Sequence, residues 1–143
     1  MLKELRIKNL AIIGDLSVSF GEGLNVLTGE TGAGKSIIVD ALGLALGHRA
    51  QADMIRSGEE EASVQAYFEH DAVVSLPDIG IDISEDLVLR RTLSASGKSR
   101  AFVNDTLVTQ QTLAVTSKKS TAAPTTFIHA HRVCVIPRFL TSD

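Results

Sequence analysis

Residues Gly29-Glu30-Thr31-Gly32-Ala33-Gly34-Lys35-Ser36 form an unbroken G-x-x-x-x-G-K-[ST] pattern between a strand-like apolar run and a helix-like one. That order restricts the chain to folds in which a strand turns through a glycine loop straight into a helix. Without Cβ atoms the loop can curl so that successive backbone N–H groups face phosphate oxygens, and the positive end of the helix dipole adds to them. Lys35 is expected to reach the β- and γ-phosphates as a mobile point charge, and the Ser36 hydroxyl to ligate an Mg²⁺ bridging them. A turn that only capped a core helix would need neither the Lys-Ser pair nor three loop glycines. The pattern therefore points to a nucleoside triphosphate, with ATP as the first choice.

The flanks agree with this reading. Leu5 and Ile7 alternate with Arg6 and Lys8, and Leu16, Val18 and Phe20 alternate with Asp15, Ser17 and Ser19, so both segments read as half-buried strands. Leu24, Val26 and Leu27 suggest a third, more buried strand ending at Gly29. From Lys35 to Leu46 apolar residues surround most of the helical circumference, which predicts a buried helix. Gly47 stands where a left-handed cap would end it, and Gly43 is a tolerated weak point inside. Val64, Ala66 and Phe68 mark one face of a further strand. Leu87 to Leu93 and Arg100 to Val103 read as a hairpin closed by Ser94-Ala95-Ser96-Gly97-Lys98. Asp71 to Asp86, with Pro77, reads as a weakly patterned connector, and Leu107 to Ala114 as the start of a helix. After Ala114 Ser and Thr crowd around Pro124 and no apolar period survives, so 115–143 is expected to be an irregular tail and 1–114 the domain.

Composition narrows the classes further. Hydrophobic residues make up 44% of the 143, enough for a core, but aromatics are only 4% and Trp is absent, so burial must rely on Leu, Ile, Val and Ala. A net charge of -3 argues against a self-sufficient nucleic-acid binder, which would need clustered Lys and Arg. Cys134 is the single cysteine, so it forms no internal disulfide and fits no metal-ligand spacing; it reads as an incidental thiol in a reducing compartment. His129 and His131 lack acidic or Cys partners for a metal. Glu59-Glu60-Glu61 reads as a solvated turn, and Arg49 and Arg56 as solvated loop residues. The start lacks a secretory signal and no run is long enough to span a membrane, which places the protein in the cytoplasm.

The loop specifies phosphate binding but not a reaction, leaving kinase, GTPase, transporter ATPase and chromosome-associated ATPase open. Hydrolysis needs an apolar strand ending in Asp with an acidic neighbour, and no run of four apolar residues precedes an Asp-Glu pair in this chain. Leu93-Ser94-Ala95-Ser96-Gly97 superficially matches the Leu-Ser-Gly-Gly signature of ATP-binding-cassette proteins. Its flanks alternate like strands, whereas a signature opens a helix, so a hairpin tip is the simpler account.

Taken together, LRIKNLAIIGDLSVSF, GLNVLTGETGAGKSIIVDALGLALGHRAQADMIRSGEEEASVQAYFE and LVLRRTLSASGKSRAFVNDTLVT resemble the N-terminal head segment of the RecN family of bacterial DNA-repair proteins. That family belongs to the structural-maintenance-of-chromosomes (SMC) type of ABC ATPases, and the resemblance covers roughly Met1 to Ala114. It implies an α/β fold, the N-terminal lobe of an ABC/SMC-type P-loop NTPase head with an antiparallel strand region. It also implies ATP and Mg²⁺ as ligands, a C-terminal head lobe, head-to-head homodimers that sandwich ATP, and recombinational repair of double-strand breaks at the nucleoid. DNA would be met through the full-length assembly. The family's glutamine that senses the γ-phosphate is not recognisable, Gln110 and Gln111 coming too early, and the tail from Val115 resembles nothing in the family. A truncated or frame-shifted product that binds ATP without efficient hydrolysis is the reading. The alternatives are a small P-loop kinase using Arg90, Arg91 and Arg100, and a non-catalytic module that dimerises on ATP.

Overall fold

Leu5 and Ile7 are fully buried while Arg6 and Lys8 are exposed, so period-two alternation becomes one core-facing and one solvent-facing sheet surface. The computed structural model describes residues 2–21, 25–28, 34–69, 74–76, 80–83, 86–120, 128–130 and 133–136. Strands β1 (Leu2–Leu10), β2 (Ile13–Ser19), β4 (Glu61–Phe68), β7 (Leu87–Ser94), β8 (Ser99–Val103) and β9 (Thr106–Val108) form a six-stranded sheet in the order β2-β1-β4-β7-β8-β9. All its pairings are antiparallel, and a register shift between Leu2 and Glu4 turns Leu2 to the same buried face as Leu5. Val64, Ala66 and Phe68 on β4 and Leu87, Leu89 and Leu93 on β7 continue that face.

Helix α1 (Lys35–Ala45) lies against β1, β4 and β7. Its C-terminal half, Ala41 to Ala45, is buried, whereas Ile37, Ile38 and Val39 are half-buried and Asp40 is exposed. The all-round apolar surface predicted for the helix is thus covered mainly at one end. Gly47 follows with φ 97°, the left-handed cap expected there. Helix α2 (Gln110–Ser120) packs on β8 and on the short pair β5 (Val74–Leu76) and β6 (Ile81–Ile83), with Leu113 fully buried.

The structure corrects several expectations. Strand β3 (Asn25–Thr28) is not deeply buried: Val26 is 49% exposed, because β3 is the edge of a separate three-stranded sheet, β10-β11-β3. Its partners β10 (Ile128–Ala130) and β11 (Val133–Ile136) come from the segment expected to be irregular, and α2 runs past Ala114 to Ser120. Backbone pairing needs no apolar period, so composition gave no sign of it. The Asp71–Asp86 connector contains β5 and β6, each too short to show alternation. Ahead of α2, β9 is made by a two-residue turn at Asn104-Asp105, both with positive φ (44° and 67°), the torsions that Asn and Asp tolerate and tight hairpins require. Pro77, Pro124 and His131 lie outside the described residues.

Arg91 departs furthest from its reading as a surface residue. It shares the inward face of β7 with Leu89 and Leu93, stands opposite Val64 and Ala101, and is only 3% exposed. Its Nε donates to Ser99 Oγ at 2.5 Å, while its buried Nη1 has no hydrogen-bond partner among the described residues. Burial away from water lowers its pKa from the ordinary arginine value.

Two outcomes follow in chemical denaturation. Arg91→Met, which keeps the stem and removes the unpaired donor, is expected to raise unfolding stability by roughly 1–3 kcal/mol; a loss instead would mean that the guanidinium is satisfied in solution. Asn104 accepts from Val88 N at 2.7 Å through Oδ1 and donates to Asp86 O at 3.0 Å through Nδ2. Asn104→Ala, which loses both bonds at a positive-φ site, should cost about 1–2 kcal/mol, and an unchanged midpoint would contradict this account of the turn.

Candidate functional site

Of the eight residues singled out in the sequence, Gly34, Lys35 and Ser36 are described, and Gly29, Glu30, Thr31, Gly32 and Ala33 lie outside the described residues. Gly34 is the N-cap of α1, with φ 86° and ψ -9°. A Cβ added there would meet nothing within 4 Å, so the demand for glycine comes from the backbone torsion and not from crowding. The first helical bond runs from Ile38 N to Gly34 O at 3.1 Å. An α-helix leaves its first N–H groups without intrahelical acceptors; among the described residues no side chain caps them and no acidic residue occupies the first turn.

Lys35 is 7% exposed, its stem withdrawn into the fold, whereas Ser36 is exposed. Backbone N–H groups, an ammonium and a hydroxyl, with no carboxylate in the same turn, make a donor set that suits a polyphosphate with a hard divalent cation. What holds this end of α1 in place is the burial of its other end. Ala41, Leu42, Leu44 and Ala45 sit on the sheet, and His48 approaches so closely that a Cβ at Gly43 would lie 2.7 Å from its Nδ1. That atom is at the end of the exposed His48 side chain, so Gly43 keeps the standing of a tolerated weak point that the sequence presented.

The other cations do not join this end of the chain's chemistry. Arg90 lies 4.3 Å from the Phe102 ring centroid and pairs with Asp105 at 3.4 Å, and Arg91 is sequestered beside Ser99. Arg100 is exposed on β8, and Arg49 and Arg56 are exposed in the loop after α1. Ser94 to Lys98 is the β7–β8 hairpin tip, with Ser94 N donating to Lys98 O at 2.8 Å, so no helix opens there. Gln110 begins α2 and donates from Nε2 to Gly47 O at 3.1 Å. Among the described residues no group of three or more His, Cys, Asp or Glu side chains is placed to hold a metal, and no helix is long and apolar enough to cross a membrane.

On the opposite, solvent-facing side of the large sheet, Arg6, Lys8, Asp15, Ser17, Ser63 and Gln65 line a shallow groove of about 410 Å³. Beside it the Glu4 carboxyl accepts from Arg6 and from Ser17, which holds its pKa below the usual value. Opposite charges are interleaved here, so this face carries no single-sign field.

A family model described as an AAA domain matches residues 4–128. Over 114 residues the chain is 50% identical to the DNA repair protein RecN of Bacillus subtilis (strain 168) and 49% identical to the DNA repair protein RecN of Halalkalibacterium halodurans; each match covers 76% of this chain and 20% of the relative. This chain thus spans about a fifth of the length of the curated relatives it matches. In fold it is similar to a chain from a structural study of ATP-driven dimerization and DNA-stimulated activation of SMC ATPases, with a TM-score of 0.69 at 24% identity, covering 86% of this chain and 81% of that one. The glycine-capped helix, the antiparallel sheet beneath it and these likenesses converge: the chain belongs to the AAA-domain family, its sequence is similar to that of RecN proteins, and its fold is similar to that of SMC ATPases.

Proposed function

We propose that this chain is the ATP-binding N-terminal segment of a RecN-like ATPase acting in recombinational repair of DNA double-strand breaks. The observation that carries the reading is the start of α1, where Gly34 turns the backbone, Lys35 and Ser36 follow at once, and, among the described residues, no side chain caps the helix and no acidic residue stands in its first turn. In this reading Gly29 to Gly34 wrap the phosphates, Lys35 neutralises the β- and γ-oxygens, and Ser36 is the protein ligand of Mg²⁺. Bound Mg²⁺ would draw the same oxygens together and offset their charge. Glu30, Thr31 and Ala33 contribute through their backbone.

ATP is bound here without efficient turnover, since no apolar strand ends in the acidic pair that would orient water. Completion of the site falls to a C-terminal head lobe and to a second head facing the first. DNA is met by that larger assembly, in keeping with the net charge of -3 on this chain, and the protein works in the cytoplasm at the nucleoid. Transfer of the γ-phosphate to a metabolite fits less well: Arg90 is engaged with Phe102 and Asp105, and Arg91 is buried beside Ser99, so these two do not form a lid.

Titration of the purified chain with Mg-ATP, with phosphate release followed in parallel, tests the proposal. Lys35→Ala is expected to weaken binding by about tenfold or more, the worth of a charge-assisted contact, while phosphate release stays near background for both proteins. Binding indifferent to Lys35 would remove the proposed site, and brisk turnover by a monomer would reopen the kinase reading.

A further inference from the structure

The C-terminal end of α1 is closed by its own backbone: Leu46 N donates to Leu42 O at 3.0 Å, His48 N to Gly43 O at 2.9 Å and Gly47 N to Leu44 O at 3.1 Å. No basic residue occupies its last turn. Donors from α2 meet the carbonyls just beyond. The single proton of Ser117 Oγ is shared between Leu46 O at 3.0 Å and Ala114 O of α2 itself at 2.8 Å, and Gln110 Nε2 donates to Gly47 O at 3.1 Å. Between these two bonds the turn that follows α1 touches α2 directly: a Cβ built on Gly47 would lie 2.8 Å from both Cα and Cβ of Ala114. No side chain fits at that point of Gly47, and its φ of 97° disfavours one independently.

We infer that the Gly47–Ala114 contact, flanked by the Gln110 and Ser117 hydrogen bonds, couples the phosphate-binding end of α1 to the docking of α2, so that Gly47 and Ala114 are positioning residues for nucleotide. The inference rests on the nucleotide-binding reading above and extends it to α2. Helix α1 has 11 residues, roughly 16 Å of rigid rod, so what restrains one end restrains the other. Its N-terminal half is only partly buried, so the sheet alone leaves that end the less tightly held of the two. Phosphate bound at Lys35 and Ser36 supplies the missing restraint and favours the arrangement in which α2 is seated. Linkage makes the effect reciprocal: a seated α2 raises nucleotide affinity by the same factor that nucleotide raises the seating of α2.

Ala114 lies on α2, away from Lys35 and Ser36 in the chain, and its substitution reports on coupling without touching the proposed ligands. The test follows amide hydrogen exchange across α2, with and without Mg-ATP, together with Mg-ATP affinity, in the full chain and in Ala114→Leu, Ala114→Gly and Gln110→Ala. Mg-ATP is expected to slow exchange in α2 of the unaltered chain. Ala114→Leu, which forces the helices apart, should abolish that slowing and weaken Mg-ATP about fivefold or more, Gln110→Ala should do so more mildly, and Ala114→Gly should retain both. If Ala114→Leu fails to fold, Gln110→Ala against Ala114→Gly still makes the comparison. Lys35-dependent binding with unchanged exchange in α2, or an α2 loosened by Ala114→Leu at undiminished affinity, would overturn the coupling while leaving the nucleotide site intact. Failure of the unaltered chain to bind Mg-ATP would overturn both.

Discussion

Burial of the C-terminal half of α1 on the inner face of the large sheet is the contact on which the other features depend. Ala41, Leu42, Leu44 and Ala45 give up nearly all their accessible surface to it. A fully buried leucine contributes on the order of 1.5–3 kcal/mol, so this cluster far outweighs any hydrogen bond at the opposite end. The small side chains at 41 and 45 let the helix approach the sheet closely. A helix anchored at one end carries its other terminus in a fixed direction, and under the proposed function that terminus aims its N–H groups at phosphate.

The sheet beneath does two jobs with one pattern. Among the described residues its inner face is apolar apart from Arg91, and its outer face presents Glu4, Arg6, Lys8, Asp15 and Ser17 in a mixed array. Antiparallel strands tolerate such one-sided solvation. Arg91 breaks the pattern on the inside, where a guanidinium with an unpaired nitrogen is a cost that an aliphatic residue would not bring.

Where alternation ran for five residues or more, the chain was legible. The inward faces of β1 and β4 were read from Leu5, Ile7, Val64, Ala66 and Phe68, and the β7–β8 hairpin from its turn residues. Short strands were not legible, because three residues carry too little period to distinguish β5, β6 or β9 from loop. Asn104-Asp105 was an available signal for β9, since adjacent Asn and Asp suit two consecutive positive-φ residues. Strands β10 and β11 had no such signal: their pairing with β3 is made through the backbone and is indifferent to the Ser- and Thr-rich composition around them.

By itself the sequence determined which groups stand at the start of α1, because a glycine with φ near 86°, a lysine and a serine are a local arrangement written in consecutive residues. The likeness to RecN proteins was legible for the same reason, through long stretches of ordered residues. Tertiary structure alone decided which end of α1 is buried, that Arg91 points inward, that β3 lies at an edge, and that Gly47 serves a contact with Ala114 as well as a cap. Each of those depends on what lies opposite in space, from residues tens of positions away, and periodicity within one segment carries no record of its neighbour.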